Sequence, residues 1–157
     1  MQRRLIGNTK EEVSLLGFGC MRLPTLPNGE IDEAEAIAMI RYAVDHGVNY
    51  LDTAYGYHGG KSEGLVGKAI KDGYREKVNI ATKLPVWLVK QPEDCSRLFN
   101  EQLERLGVET VDFYLLHALN RGSWQQALEN EALEFLEQMQ AEGRIRYVGF
   151  SFHDDLP

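Results

Sequence analysis

Four short apolar runs, VNYLD from Val48, VNIATK from Val78, VDFYLLH from Val111 and RYVGFS from Arg146, return at intervals of about 30 to 36 residues, with segments of helical periodicity between them. Each interval has the size of one strand, a crossover helix and the return to the next strand. Strict alternation of this kind specifies an α/β fold built on a parallel sheet with right-handed crossovers.

The intervening segments carry start and stop signals. Asp32 reads as the cap of a helix with Ile37, Ile40 and Val44 on one face, closed by Gly47. A second helix begins at Ser62, carries Leu65, Val66, Ala69 and Ile70, and stops at Gly73. Pro92 starts a third, which runs through Cys95, Leu98, Phe99, Leu103 and Leu106 to Gly107. Ser123 and Gln126 make a capping-box pattern for a single fourth helix, with Leu128, Ala132, Phe135, Leu136 and Met139 inward and Gly143 at its end. Ahead of these units, Leu5-Ile6 and the run from Val13 to Phe18 flank a Gly-Asn-Thr-Lys link, which predicts a hairpin leading into a first core strand. Gly17 and Gly19 are expected to admit close approach of other backbone, and the loop LPTLPNGE interrupts regular structure.

Two architectures satisfy this order. A chain of 157 residues fits a five-stranded doubly wound sheet, whereas a (β/α)8 barrel takes about 250 residues. Length alone therefore favours the open sheet. A hydrophobic content of 43% supports a real core in one domain. The net charge of −7 argues against nucleic acid or an anionic membrane as the main partner. Cys20 and Cys95 are far apart and form no CxxC or Cys/His pattern, so neither a disulfide framework nor a metal site is expected. Two free thiols, with no apolar run of about 18 residues, lead to the expectation of a soluble, cytoplasmic protein.

The later strands end on residues able to do chemistry: Asp52, Lys83, His117 and Ser151. Singly, each has an ordinary reading as a turn former, a solvated tip, a half-buried ring or a cap. In parallel α/β folds, however, the carboxyl ends of all strands open on one side, so these four converge there together with Tyr55 and Tyr57 of the following loop. A phenol ionises near pH 10 and is a poor acid at pH 7; a shift to about 7 takes roughly 4 kcal/mol, which one ammonium at ~4 Å supplies at an effective dielectric near 20. Asp52 would hold that lysine while cancelling part of its field, and His117 can donate to a carbonyl oxygen. The loop YGYHGGKS also approaches a phosphate-binding P-loop, but Tyr55 stands where the pattern needs glycine, and Gly56 leaves only three residues before Gly60. That one-residue mismatch argues against nucleotide hydrolysis, and Lys61 is expected to be a solvated surface charge.

Five motifs taken together, GFGCMR, LDTAYGYHGGKSE, ATK, DFYLLH and GFS, resemble the aldo-keto reductases across essentially the whole chain. By that resemblance the catalytic tetrad falls on Asp52, Tyr57, Lys83 and His117, the spacing after Asp52 selecting Tyr57 over Tyr55. The resemblance reverses the length argument, since that family folds as an α/β (β/α)8 TIM barrel preceded by a hairpin. Residues 1–157 would then be a partial, truncated domain: the N-terminal hairpin and the first five strands.

The implied cofactor is NADP(H). Gly19, Cys20, Met21, Asp52 and Ser151 would form its nicotinamide end, while most of its binding site would lie beyond residue 157. Family members commonly show Ser-Asn where this chain has Ser151-Phe152-His153. That ending resembles the branch whose longer members carry a C-terminal [4Fe-4S] segment, although no ligand for such a cluster is expected within this chain. The implied activity is reduction of a small-molecule carbonyl substrate, with the isolated chain inactive and prone to self-association through exposed strand edges. A non-catalytic regulatory or binding role for the same fold is the alternative.

Overall fold

The computed structural model describes residues 1–155. A hairpin of β1 (Arg3–Leu5) and β2 (Glu12–Ser14) comes first. It precedes a parallel sheet of β3 (Phe18–Gly19), β4 (Tyr50–Asp52), β5 (Asn79–Leu84), β6 (Val111–Leu119) and β7 (Ile145–Phe152). The five strands lie side by side in sequence order, with Gly19 opposite Asp52, Asp52 opposite Ala81 and Lys83 opposite Leu115. Each new strand adds to the same growing edge. Right-handed crossovers therefore place every helix on one face. A doubly wound sheet needs a point where the strand order reverses, and this sheet has none. The expectation from length is overturned: the arrangement is that of the first strands of a barrel.

The helices on the outer face are α1 (Glu33–Asp45), α2 (Ser62–Ala69), α3 (Glu93–Leu106), α4 (Arg121–Glu129) and α5 (Ala132–Ala141). As expected, Asp32 caps α1 by accepting from the Glu35 amide at 3.1 Å. α3 ends on Gly107 at φ 67°, where a Cβ would be unfavourable. α2 stops at Ala69, one turn earlier than its apolar pattern predicts, because Asp72 and Gly73 both take positive φ. The single fourth helix is also corrected: the chain breaks at Asn130 and Glu131, with Glu131 at φ 55°, and makes two helices. The capping box lies upstream of Ser123 rather than downstream. Asn120 accepts from the Ser123 amide at 2.9 Å while the Ser123 hydroxyl accepts from the Asn120 amide at 2.8 Å.

Amphipathic α3 supplies much of the core, turning Cys95, Leu98, Phe99, Leu103 and Leu106 onto the sheet. Burial of each large apolar side chain contributes about 1.5–3 kcal/mol. Phe99 meets the buried Tyr114 ring edge-on at 4.9 Å. On the inner face, Tyr50, Phe113 and Tyr147 line up across three strands with centroid separations of 5.2 and 5.0 Å. Of the two early glycines only Gly17 shows the expected close approach. A Cβ at Gly17 would touch the Tyr50 ring at 3.3 Å and the Tyr50 carbonyl oxygen at 3.7 Å, whereas at Gly19 it would meet nothing within 4 Å.

Between α2, α3 and the sheet lies a polar cluster that the sequence did not suggest. The Glu63 carboxylate is fully buried and accepts from Thr82 Oγ1 and Gln102 Nε2, both at 2.6 Å. Arg105 approaches its second oxygen at 3.3 Å. Tyr114 in turn donates to Gln102 Oε1 at 2.6 Å. A lone buried carboxylate would be strongly destabilising, and three donors offset that cost.

The closest contact of the helical layer is at Gly67, where a Cβ would lie 2.5 Å from the Leu106 carbonyl oxygen. Gly67→Ala is predicted to destabilise the fold by about 1–3 kcal/mol in urea unfolding. Gly64→Ala, whose Cβ would meet only the Arg105 carbonyl oxygen at 4.0 Å, should be neutral or stabilising by up to ~1 kcal/mol through helix propensity. Equal effects of the two would refute the contact as the cause.

Candidate active site

Parallel pairing brings the carboxyl ends of β3 to β7 to one side, and the expected residues follow. Gly19 and Asp52 end β3 and β4; Lys83, His117 and Ser151 stand at or near the ends of β5, β6 and β7. Lys83 is 5% exposed and donates to Asp52 Oδ1 at 2.8 Å, Asp52 Oδ2 at 2.9 Å and the Thr53 carbonyl at 2.8 Å. All three ammonium protons are thus committed to β4 and the residue after it. Unit charges at this range attract by roughly 5 kcal/mol at an effective dielectric near 20, a gain partly offset by desolvation of the ammonium.

The loop after β4 sorts the two tyrosines. Tyr55 turns to the helical layer, where its hydroxyl donates to Glu101 Oε2 at 2.9 Å and the Arg105 guanidinium covers its ring at 4.1 Å. Tyr57 turns the other way, with Lys83 Nζ 5.2 Å from its ring centroid and the His117 ring edge-on at 5.9 Å. A 3₁₀ turn over Tyr57–Gly60 makes this possible. His58, Gly59 and Gly60 all take positive φ there, and His58 Nε2 accepts from the Leu23 amide at 2.9 Å. Lys61, expected to be solvated, is largely exposed and pairs with Glu30.

The Trp87 ring also lies beside His117, at 5.0 Å between ring centres. Burial, the Lys83 charge and the neighbouring His153 push its imidazole down to about 4, so it is neutral at pH 7. Its Nδ1 is the one buried side-chain nitrogen or oxygen without a hydrogen-bond partner among the described residues.

The positions expected near a nicotinamide differ in access. Gly19 and Met21 are open to solvent. Cys20 is fully buried: its amide donates to the Asp52 carbonyl at 2.8 Å, its carbonyl accepts from Ser62 Oγ at 2.9 Å, and burial pushes its thiol up to about 12. A ligand can therefore touch only its neighbours. Ser151 Oγ accepts from the Ala118 amide at 2.7 Å, which leaves its single proton free to donate. Sequence reasoning missed Trp87, although an aromatic four residues past the strand-end lysine is a legible signal, and it missed the Thr53 carbonyl, for which no side-chain signal exists.

A groove of about 1100 Å³ lies elsewhere, on the helix-side face of β7. Leu119, Trp124, Leu133, Leu136, Val148 and Phe150 are among its walls. Its walls are mainly apolar, and its charged groups, Arg121, Glu137, Asp154 and Asp155, do not form the Lys83, Asp52, Tyr57 and His117 grouping seen at the strand tips. Among the described residues no cluster of three or more His, Cys, Asp or Glu could hold a metal ion. No described helix is long and apolar enough to cross a membrane.

Comparison with known proteins identifies the family and the fold. A curated relative from Glycine max, described as probable aldo-keto reductase 1, is 34% identical over 154 residues, covering 93% of this chain and 43% of the relative. The holo form of an aldo-keto reductase from Bacillus halodurans superposes with a TM-score of 0.81 at 32% identity, over 97% of this chain and 50% of that one. An aldo-keto reductase from Klebsiella pneumoniae in complex with NADPH gives a TM-score of 0.74 at 30% identity, over 91% and 47% of the two chains. The chain thus spans about half the length of the relatives it matches. The family model itself aligns with residues 15–156, and the chain belongs to the aldo/keto reductase family.

Proposed function

We propose that residues 1–157 are a partial aldo-keto reductase domain carrying the tetrad of an NADP(H)-dependent carbonyl reductase. The observation that supports this reading best is the convergence at the strand tips of the Lys83–Asp52 pair and His117 on Tyr57, with Lys83 Nζ 5.2 Å and the His117 ring 5.9 Å from the centre of the phenol ring. Tyr57 is the general acid that protonates the carbonyl oxygen. Lys83 stabilises the negative charge that develops on the phenol oxygen as its proton leaves, and it acts through its field, because its protons are held by Asp52 and Thr53. Asp52 fixes the ammonium in place.

His117 orients the substrate. An imidazolium would carry an N–H at Nδ1 with no acceptor, whereas the neutral ring with its proton on Nε2 leaves only a lone pair unpaired there. The Nε2 proton is the donor to the carbonyl oxygen, and Trp87 walls the same space.

A bound nicotinamide would supply the hydride. The residues suited to hold that end are Gly19, Met21, Asp52 and the free proton of Ser151, with Cys20 shaping the floor from behind. NADPH bound to the Klebsiella relative supports the choice of cofactor.

A second reading rests on the exposed groove. β7 is an eight-residue edge whose Val148, Phe150 and Phe152 are 41, 63 and 47% exposed. An edge of this length with one apolar face favours pairing with another polypeptide. The chain by itself is therefore proposed to lack turnover and to self-associate.

Three measurements test these statements. In sedimentation, the 157-residue chain should associate as its concentration rises and should not oxidise NADPH with a simple aldehyde; a monomer with turnover would refute this. In a protein that joins these residues to the remaining barrel units, Tyr57→Phe should lower kcat by at least about 10²-fold while leaving NADPH affinity unchanged. Undiminished kcat would remove Tyr57 as the acid. Finally, because the folded pKa of His117 lies below its ordinary value near 6.5, its contribution to stability is present above pH 6.5 and is lost as pH falls toward 4. Urea midpoints should drop over that window more steeply in the unaltered chain than in His117→Gln, and parallel slopes would exclude His117 as the source.

A further inference from the structure

Strand β6 does not run straight past the site. Leu116 pairs with Phe150 and Leu119 with Phe152, so two residues, His117 and Ala118, stand opposite the single residue Ser151. This is a β-bulge, a device that re-aims one side chain and removes a residue from the backbone ladder. Ala118 takes φ 55°, a left-handed conformation that a residue with a Cβ resists. Its peptide groups are satisfied by two hydroxyls instead of by β7. The amide donates to Ser151 Oγ at 2.7 Å, and the carbonyl accepts from Ser123 Oγ at a longer 3.3 Å. Ser123 is mainly engaged in capping α4, so the short bond to Ser151 is the principal restraint on the bulge.

We propose that Ser151 is a positioning residue for His117: its hydroxyl oxygen holds the left-handed Ala118 peptide, and the bulge so fixed keeps the imidazole beside both Trp87 and Tyr57. This rests on the reading of His117 as the group that orients the carbonyl. The same side chain keeps one proton free, so the donor available to a nicotinamide carboxamide and the brace behind the histidine are a single hydroxyl. The groups that face the imidazole are Lys83 with its partner Asp52, Tyr57, Trp87 and His153. Release of the bulge would turn the ring out of their company and into solvent.

The test uses the chain as it stands and needs no turnover. Hydrogen–deuterium exchange read by mass spectrometry reports both the Ala118 amide and the pH dependence of the His117 ring, whatever the oligomeric state. In the unaltered chain the Ala118 amide should be protected at least about tenfold over a free peptide, and His117 should titrate near 4. Ser151→Ala should speed Ala118 exchange about tenfold or more and raise the His117 midpoint toward its ordinary value. Ser151→Thr, which keeps the hydroxyl, should restore both. The proposal is overturned if Ser151→Ala leaves both readouts unchanged, or if Thr fails to rescue them. Should neither variant fold, an unprotected Ala118 amide in the unaltered chain overturns it, and a protected one supports it. Absence of reductase activity in any context would sink the reductase reading and leave these readouts as they are.

Discussion

The Lys83 ammonium lies almost out of solvent, where an unpaired charge would cost several kcal/mol. It is tolerated because β4 offers three acceptors at hydrogen-bond distance, two from Asp52 and one from the Thr53 carbonyl. That arrangement exists only in one register of β4 against β5, with Asp52 opposite Ala81. A slip of one residue would turn Lys83 to the helical face. The pair therefore fixes the inner and outer faces of both strands as well as the electrostatics of the site.

The buried Glu63 cluster holds the other side of the same strands. Gln102 reaches from α3 to the Lys83 carbonyl at 3.0 Å while it also donates to Glu63 and Thr82. Ser62, the residue before Glu63, bonds Thr53 Oγ1 and the Cys20 carbonyl, both at 2.9 Å. The start of α2 thus ties together the ends of β3, β4 and β5 from beneath. Such networks are strongly stabilising only when every member is satisfied, and here each buried oxygen and nitrogen has a partner. The one orphaned buried side-chain nitrogen or oxygen among the described residues, His117 Nδ1, lies outside this network, on the other face of the sheet.

How far the chain could be read in advance follows from the range of each interaction. The alternation of strands and helices was legible because it rests on local periodicity, and the strand-end residues were legible because parallel strands present their carboxyl ends together. Length misled, since 157 residues suit an open sheet and only the strand order shows otherwise. Tyr55 and Tyr57 are alike to local rules. They part because Glu101 and Arg105, some 50 positions later, draw Tyr55 to the outer layer. The break between α4 and α5 was missed because no glycine or proline marks it; Glu131 takes a left-handed conformation that its residue type does not advertise. The bulge at Ala118 and the Glu63 cluster depend on partners 19 to 42 residues away, beyond any sequence window.

The division of the site between interior and edge strands has a mechanical consequence. Asp52, Lys83 and His117 sit on β4, β5 and β6, each hydrogen-bonded on both sides, so their relative positions are set within this chain. Gly19 and Ser151 sit on β3 and β7, which have one neighbour each. β3 contributes only two residues to the ladder, while β7 exposes an eight-residue edge. Edge strands open at lower free energy than central ones. The proposed anchor, field source and orienting group are therefore the well-braced ones, while Gly19 and Ser151, two of the residues proposed to meet the cofactor, are held by one strand neighbour each. Because Ser151 also braces the His117 bulge, disorder on the β7 edge would reach the tetrad through that hydroxyl while leaving the Lys83–Asp52 pair intact.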